Sequence, residues 1–154
     1  MSNPIKYHVY TDGACSCNPG PGSYAFIVFD QNHQYVSEGS NYELKTTNNI
    51  MELRALIESI KYISTSYGAQ ALLHTCFYSD SKYVVDGYNK WLFTWRKRGW
   101  KSSGGCPVKN LGFWQELNLL APQYVQFIKG HNGNKFNEAA DFLAKKTLRN
   151  SKLC

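Results

Sequence analysis

Four carboxylates in this sequence stand where carboxylates can act together. Asp12 comes at the end of a first alternating segment, in Tyr10-Thr11-Asp12-Gly13, and Asp80 closes a later one, in Tyr78-Ser79-Asp80-Ser81. Glu52 and Asp141 fall near the starts of two amphipathic segments. The chain is basic, with 17 lysines and arginines against 11 acids, yet four of those acids sit at strand ends or helix starts on four different elements. Gathered without compensation they would repel one another and raise each other's pKa. Divalent cations remove that penalty, because hard Mg²⁺ takes carboxylate oxygens, keeps several waters and bridges to phosphate. Two such ions about 3.5–4 Å apart activate a water and stabilise the leaving oxygen of an in-line phosphodiester displacement.

Each residue taken singly also has an ordinary structural reading. Asp12-Gly13 is a turn signal. Asp80 suits a helix N-cap. Asn49-x-x-Glu52 has the form of a capping box, and Asp141 suits the positive end of a helix dipole. His131, between glycine-containing turns, reads as a plain loop histidine. The joint pattern is what favours a site.

The elements that must position these residues follow from periodicity. Residues 5–12 alternate as a strand. The glycine- and proline-rich loop 14–22 follows, then an apolar strand at 24–29, a turn at 30–33, and a third strand at 34–43 interrupted near Gly39. These three strands form an antiparallel meander. Leu53, Leu56, Ile57, Ile60 and Ile63 keep helical spacing in a helix from about residue 48 to Gly68. A fourth strand is expected at 71–78, a short helix at 81–89, a helix at 110–120 with Leu111, Trp114 and Leu117 inward, and a fifth strand at 124–128. A polar loop at 130–135 leads to a last helix at 137–148 that buries Ala140, Leu143, Ala144 and Leu148. A strand, a long helix and a strand make a crossover to a parallel neighbour. The expected fold is therefore α/β: a mixed five-stranded sheet, three strands antiparallel and then two parallel, with helices on both faces. Sites in such sheets form beyond the carboxyl ends of the parallel strands, where both Asp12 and Asp80 stand.

The 154 residues fit one domain, 1–154. The net charge of +6 suits a polyanionic partner, or merely a soluble basic protein. The five cysteines are odd in number and lack zinc-ribbon spacing, which suits reduced thiols in a cytoplasmic protein. No signal pattern opens the chain, and no apolar run reaches membrane-spanning length. Between residues 90 and 109 stand Lys90, Arg96, Lys97, Arg98, Lys101 and Lys109, with no acid and with Trp91, Trp95 and Trp100 interleaved. That stretch reads as a basic protrusion that neutralises phosphates, each adding about 0.9 to the salt slope of duplex binding. At least one or two of the tryptophans should pack inward.

Six stretches resemble the ribonuclease HI family and occur in its order: residues 11–22 (TDGACSCNPGPG), 46–53 (TTNNIMEL), 79–84 (SDSKYV), 95–101 (WRKRGWK), 107–110 (PVKN) and 129–144 (KGHNGNKFNEAADFLA). The resemblance covers almost the whole chain. It implies a monomeric endonuclease that hydrolyses the RNA strand of RNA/DNA hybrids with Mg²⁺, two ions when substrate is bound and Mn²⁺ as a substitute, leaving 5′-phosphate and 3′-hydroxyl ends. It implies metal binding by Asp12, Glu52, Asp80 and Asp141, and proton transfer or product release by His131. It places Cys15, Asn18, Asn48 and Asn49 against the hybrid near the cut, and Thr47 and Asn110 on a phosphate of the DNA strand. It places Trp91 on the DNA sugar–phosphate backbone and makes Arg96, Lys97, Arg98 and Lys101 a basic handle. Lys82 replaces a glutamine that reads the minor groove in some members, so a phosphate contact is the expectation there. Cys17 replaces a usual glycine. Asparagine can meet a 2′-hydroxyl as donor or acceptor, which suits telling hybrid from DNA duplex. With a first strand beginning by Ile5, no N-terminal hybrid-binding domain is expected, and a free-standing enzyme is favoured over a piece of a reverse transcriptase. The alternatives are a nuclease of the same fold with another substrate, such as a junction resolvase or a double-stranded RNA nuclease, and a non-catalytic hybrid-binding module.

Overall fold

The computed structural model describes residues 4–130 and 133–151. Five strands form one sheet in the order β3-β2-β1-β4-β5. Strands β1 (Tyr7–Cys15), β2 (Gly20–Asp30) and β3 (Tyr35–Thr46) are antiparallel neighbours, while β4 (Thr75–Ser79) runs parallel to β1 and β5 (Tyr124–Phe127) parallel to β4. This is the mixed sheet expected from the sequence.

Alternation along the strands sets two cores. Val9, Phe26 and Val28 face α1 (Asn48–Tyr67), whose stripe Leu53, Leu56, Ile57, Ile60 and Ile63 is buried as its spacing predicts. Trp114 and Leu117 of α4 (Leu111–Leu120) complete this core, with Leu111 and Leu120 packed at its margin. Tyr10, Ile27 and Phe29 face the opposite way, onto Ala140 of α5 (Lys135–Asn150), with Leu143 only partly buried beside them. Helices thus cover both faces.

Several boundaries differ from the sequence expectation. β1 does not stop at Asp12-Gly13 but pairs with β2 as far as Cys15 opposite Gly22. Its ladder with β4 ends at Tyr10 opposite Tyr78, so Asp12 lies just past the parallel ladder while still inside the antiparallel one. β3 is unbroken at Gly39, which pairs with Phe26; a Cβ there would fall 2.4 Å from the Phe26 ring, so the glycine makes room for an aromatic neighbour. Residues Ala69–His74 form a 3-10 turn, which delays β4 to Thr75. The short helix expected at 81–89 is α2 (Lys82–Asp86), continued by one turn of π-helix, Gly87–Trp91, and by α3 (Leu92–Lys97). Gly87 lies against Trp114, where a Cβ would come within 2.1 Å of the indole. Among the described residues, no helix is long and apolar enough to cross a membrane.

Candidate active site

Asp12 is buried at the end of the parallel ladder, on the face of β1 that Tyr10 turns toward α5. Glu52 comes from the first turns of α1 and is also buried, at 8% exposure. It is not the partner in a capping box. Thr47 caps α1 by accepting from the Ile50 amide, and Glu52 instead accepts from the Gly13 amide at 2.7 Å and from the Ser79 hydroxyl at 3.5 Å. Nor is Asp80 an N-cap: Ser81 takes that place on α2, accepting from Val84 N. Both acids are therefore available to a site.

One carboxylate oxygen from each of Asp12, Glu52 and Asp80 lies within 4.8 Å of the others. Asp141, on the second turn of α5, lies near enough to raise the Asp12 pKa and pairs with Lys145 at 3.1 Å. Burial pushes the Asp12 carboxyl far above the usual range, reinforced by the charge and hydrogen bond of Glu52, then by Asp80 and Asp141. Burial lifts Glu52 as well, and the Asp80 charge adds to it, while hydrogen bonds from Asp12 and the Gly13 amide pull it back. Three acids forced together, two of them with raised proton affinity, are a donor set of hard oxygens in need of positive charge, and this fits a divalent cation.

Two glycines let the backbone into this cluster. A Cβ on Gly13 would fall 2.6 Å from the Glu52 amide nitrogen and 2.7 Å from the Met51 carbonyl carbon. A Cβ on Gly130 would fall 2.7 Å from Asp80 Oδ2. Neither Ser79 nor Gly130 was singled out as a site residue from the sequence. The glycine between Lys129 and His131 was the available signal.

The remaining expected residues lie around the acids. Asn18 accepts from the Asn48 amide at 3.0 Å, tying the exposed β1–β2 loop to the start of α1, where Asn49 is also exposed. Cys15 is half-buried, its Sγ donating to the Cys17 carbonyl. Asn110, at φ 60°, donates to Tyr83 Oη at 2.9 Å, and Trp114 Nε1 donates to the same hydroxyl at 3.2 Å. Lys82 is exposed and sits 5.8 Å from the Phe127 ring centroid. Trp91 is 53% exposed, whereas Trp95 packs edge-on against Trp114, so one tryptophan of the basic segment turns inward as expected. Arg96, Lys97, Arg98 and Lys101 are all exposed. His131 lies outside the described residues.

The sequence model of the RNase H family matches residues 4–149. The chain belongs to the RNase H family. Within it, the Ribonuclease H of Ehrlichia canis (strain Jake) is 42% identical over 147 residues, covering 93% of this chain and 94% of its own. LC9-RNase H1, a type 1 RNase H with the type 2 active-site motif, shares the fold at a TM-score of 0.75 and 29% identity, over 97% of this chain and 75% of that one. LC11-RNase H1, solved in complex with RNA/DNA hybrid, superposes at a TM-score of 0.72 over 95% of this chain and 99% of that one, and at 19% identity the likeness is one of fold. The RNase H family is one of metal-dependent nucleases, and Asp12, Glu52 and Asp80, past the parallel ladder of β1 and β4, form an acidic group that could hold a metal ion.

Proposed function

We propose that this RNase H is an endonuclease that hydrolyses the RNA strand of RNA/DNA hybrids by a two-metal-ion mechanism. The observation that carries the reading is the convergence of Asp12, Glu52 and Asp80 within 4.8 Å, with Asp141 beside Asp12, in an otherwise basic protein. Those four acids would hold Mg²⁺, Asp12 being shared between two ions and Mn²⁺ able to substitute. When bound, the ions supply an activated water and stabilise the leaving oxygen, giving 5′-phosphate and 3′-hydroxyl ends.

The chain's own residues orient and select. The Gly13 amide and the Ser79 hydroxyl aim the Glu52 carboxylate. Asn18, Asn48 and Asn49 with the backbone of Cys15 meet the RNA near the cut, where a carboxamide reads a 2′-hydroxyl as donor or acceptor. Thr47 and Asn110 take a DNA-strand phosphate, Lys82 another, and Trp91 offers an exposed indole to the DNA sugar–phosphate backbone. Arg96, Lys97, Arg98 and Lys101 add positive charge to the same strand. His131 serves proton transfer or product release. We further infer a single-domain, cytoplasmic monomer.

The test is substrate comparison on identical sequences in Mg²⁺. Cleavage of hybrid alone, with the RNA strand cut, is expected. Equal cutting of double-stranded RNA would point to another nuclease of this fold, and binding without cutting would leave a hybrid-binding module.

A further inference from the structure

The helical arm formed by α2, the π-turn and α3 has two different sides. One carries Tyr83, Gly87, Trp91 and Trp95 at four-residue spacing, around a pocket of about 340 Å³. This side carries Lys82 and Trp91, which the proposed function gives to the hybrid, whereas Arg96 and Lys97, given there to the DNA strand, stand on the other. Phe93 lies two residues past Trp91, roughly 200° further around a helix. Its ring is 57% exposed. Arg96 and Lys97 stand over that ring, with Lys97 Nζ at 4.4 Å and Arg96 Cζ at 5.5 Å from its centroid.

Beside Phe93 is a second pocket, of about 260 Å³, between α3 and the end of α4, lined also by Leu92 and Asn118. Tyr88 and Asn89 line the same place, each with a donor already engaged. The Tyr88 hydroxyl donates to the Pro122 carbonyl and Asn89 Nδ2 to the Val125 carbonyl. Arg96 is different: its guanidinium donates to a neutral acceptor, Asn118 Oδ1 at 3.2 Å, and among the described residues neither Arg96 nor Lys97 pairs with an acid. No acidic residue lies between Asp86 and Glu116 in the sequence.

An exposed ring, a planar cation over it and an adjacent pocket suit one class of partner. A base in a duplex is stacked and paired, so the Phe93 ring cannot reach its face. An unpaired base has a free face for an aromatic side chain or guanidinium, and its phosphate suits the two cations. We infer that this second pocket binds an unpaired nucleotide of the single strand that continues beyond the hybrid held on the Trp91 side. The inference rests on that side being the hybrid surface.

The experiment measures binding of the full chain, without divalent metal, to a blunt RNA/DNA hybrid and to the same hybrid with a six-nucleotide overhang. DNA and RNA overhangs at each end form separate arms, which identify the strand and sugar. The expected result is at least about fivefold tighter binding for one overhang, the weight of one base–aromatic stack. Phe93→Ser removes that gain and leaves blunt-hybrid affinity unchanged. The second variant, Asn118→Asp, gives Arg96 a carboxylate partner and reduces the gain without truncating the ring. Thermal melts confirm that both variants are folded. Equal affinity for blunt and overhung hybrids overturns the inference, as does a gain that survives Phe93→Ser. A Phe93→Ser loss equal on both substrates also overturns it, since the ring then belongs to the duplex surface. If the blunt hybrid itself fails to bind, the assignment of the Trp91 side falls instead.

Discussion

The Gly13 amide donates to Glu52 Oε1 at 2.7 Å, so the backbone next to Asp12 holds the acid that faces it from another element. The contact needs glycine, because the Cα of Gly13 lies directly against the backbone of Met51 and Glu52. Gly13→Ala should therefore separate α1 from β1. Urea unfolding is predicted to show a loss of about 2–3 kcal/mol, the usual weight of overpacking a tight contact. Hybrid cleavage should fall by about 100-fold or more, since small displacements of reacting groups are costly. Unchanged stability and rate would show that the contact does not position Glu52.

The metal-free protein should lose stability as pH rises. Asp12 and Glu52 both have folded-state pKa values raised above their unfolded values, by burial first; neighbouring acids raise Asp12 further, while for Glu52 the hydrogen bond from Asp12 pulls back and the Asp80 charge adds. The folded state therefore binds more protons than the unfolded state from about pH 4 upward, and unfolding free energy declines through that window. In chelator at pH 8, Asp12→Asn is predicted to be more stable than the unsubstituted protein, on the order of 2 kcal/mol, with the difference shrinking toward pH 4. Added Mg²⁺ should narrow it by stabilising the unsubstituted protein. Denaturation curves at four or five pH values check this, and a flat or rising profile would contradict the strained-acid account.

Gly130 places its Cα beside the Asp80 carboxylate. Gly130→Ala is predicted to weaken Mg²⁺ binding by about tenfold or more, as loss of a ligand's supporting contact does. Calorimetric titration reads the affinity, and a melt in chelator shows that the fold is intact. Metal affinity equal to the unsubstituted protein's would rule out this role for Gly130.

Thr47 has two tasks that substitutions can separate. Its hydroxyl caps α1 by accepting from Ile50 N at 3.2 Å, and the proposed function gives it a DNA-strand phosphate. Thr47→Ala should cost about 1 kcal/mol of stability and raise KM for hybrid, while Thr47→Ser should restore both. A KM unmoved by Thr47→Ala would remove the phosphate contact from the account.

The strand–helix order and the mixed sheet were legible in the sequence because each element carries its own periodicity. The stripe Leu53, Leu56, Ile57, Ile60 and Ile63 needs no tertiary information to be read. Boundaries were less legible where pairing partners decide them. β1 runs past Asp12-Gly13 because β2 keeps pairing with it to Cys15, and no local signal reports that partner. Likewise Gly39 looked like a break, but it is a strand residue that accommodates Phe26 from the next strand. In the site, the acids Asp12, Glu52 and Asp80 were legible by type and position. The ordinary readings of Glu52 and Asp80 as caps were decided only by three-dimensional neighbours, since Thr47 and Ser81 do the capping. Ser79 and Gly130 were not legible, because their roles exist only where three separate elements meet.

The measurement that bears most directly on the central claim is cleavage of a labelled RNA/DNA hybrid by the protein and by Asp12→Asn, each with Mg²⁺ and with chelator. The account predicts RNA-strand cuts by the unsubstituted protein in Mg²⁺ alone, and a loss of about 1,000-fold or more in the variant, whose melt shows it folded. Cuts that persist in chelator, or a folded Asp12→Asn that cuts as well as the unsubstituted protein, would contradict it.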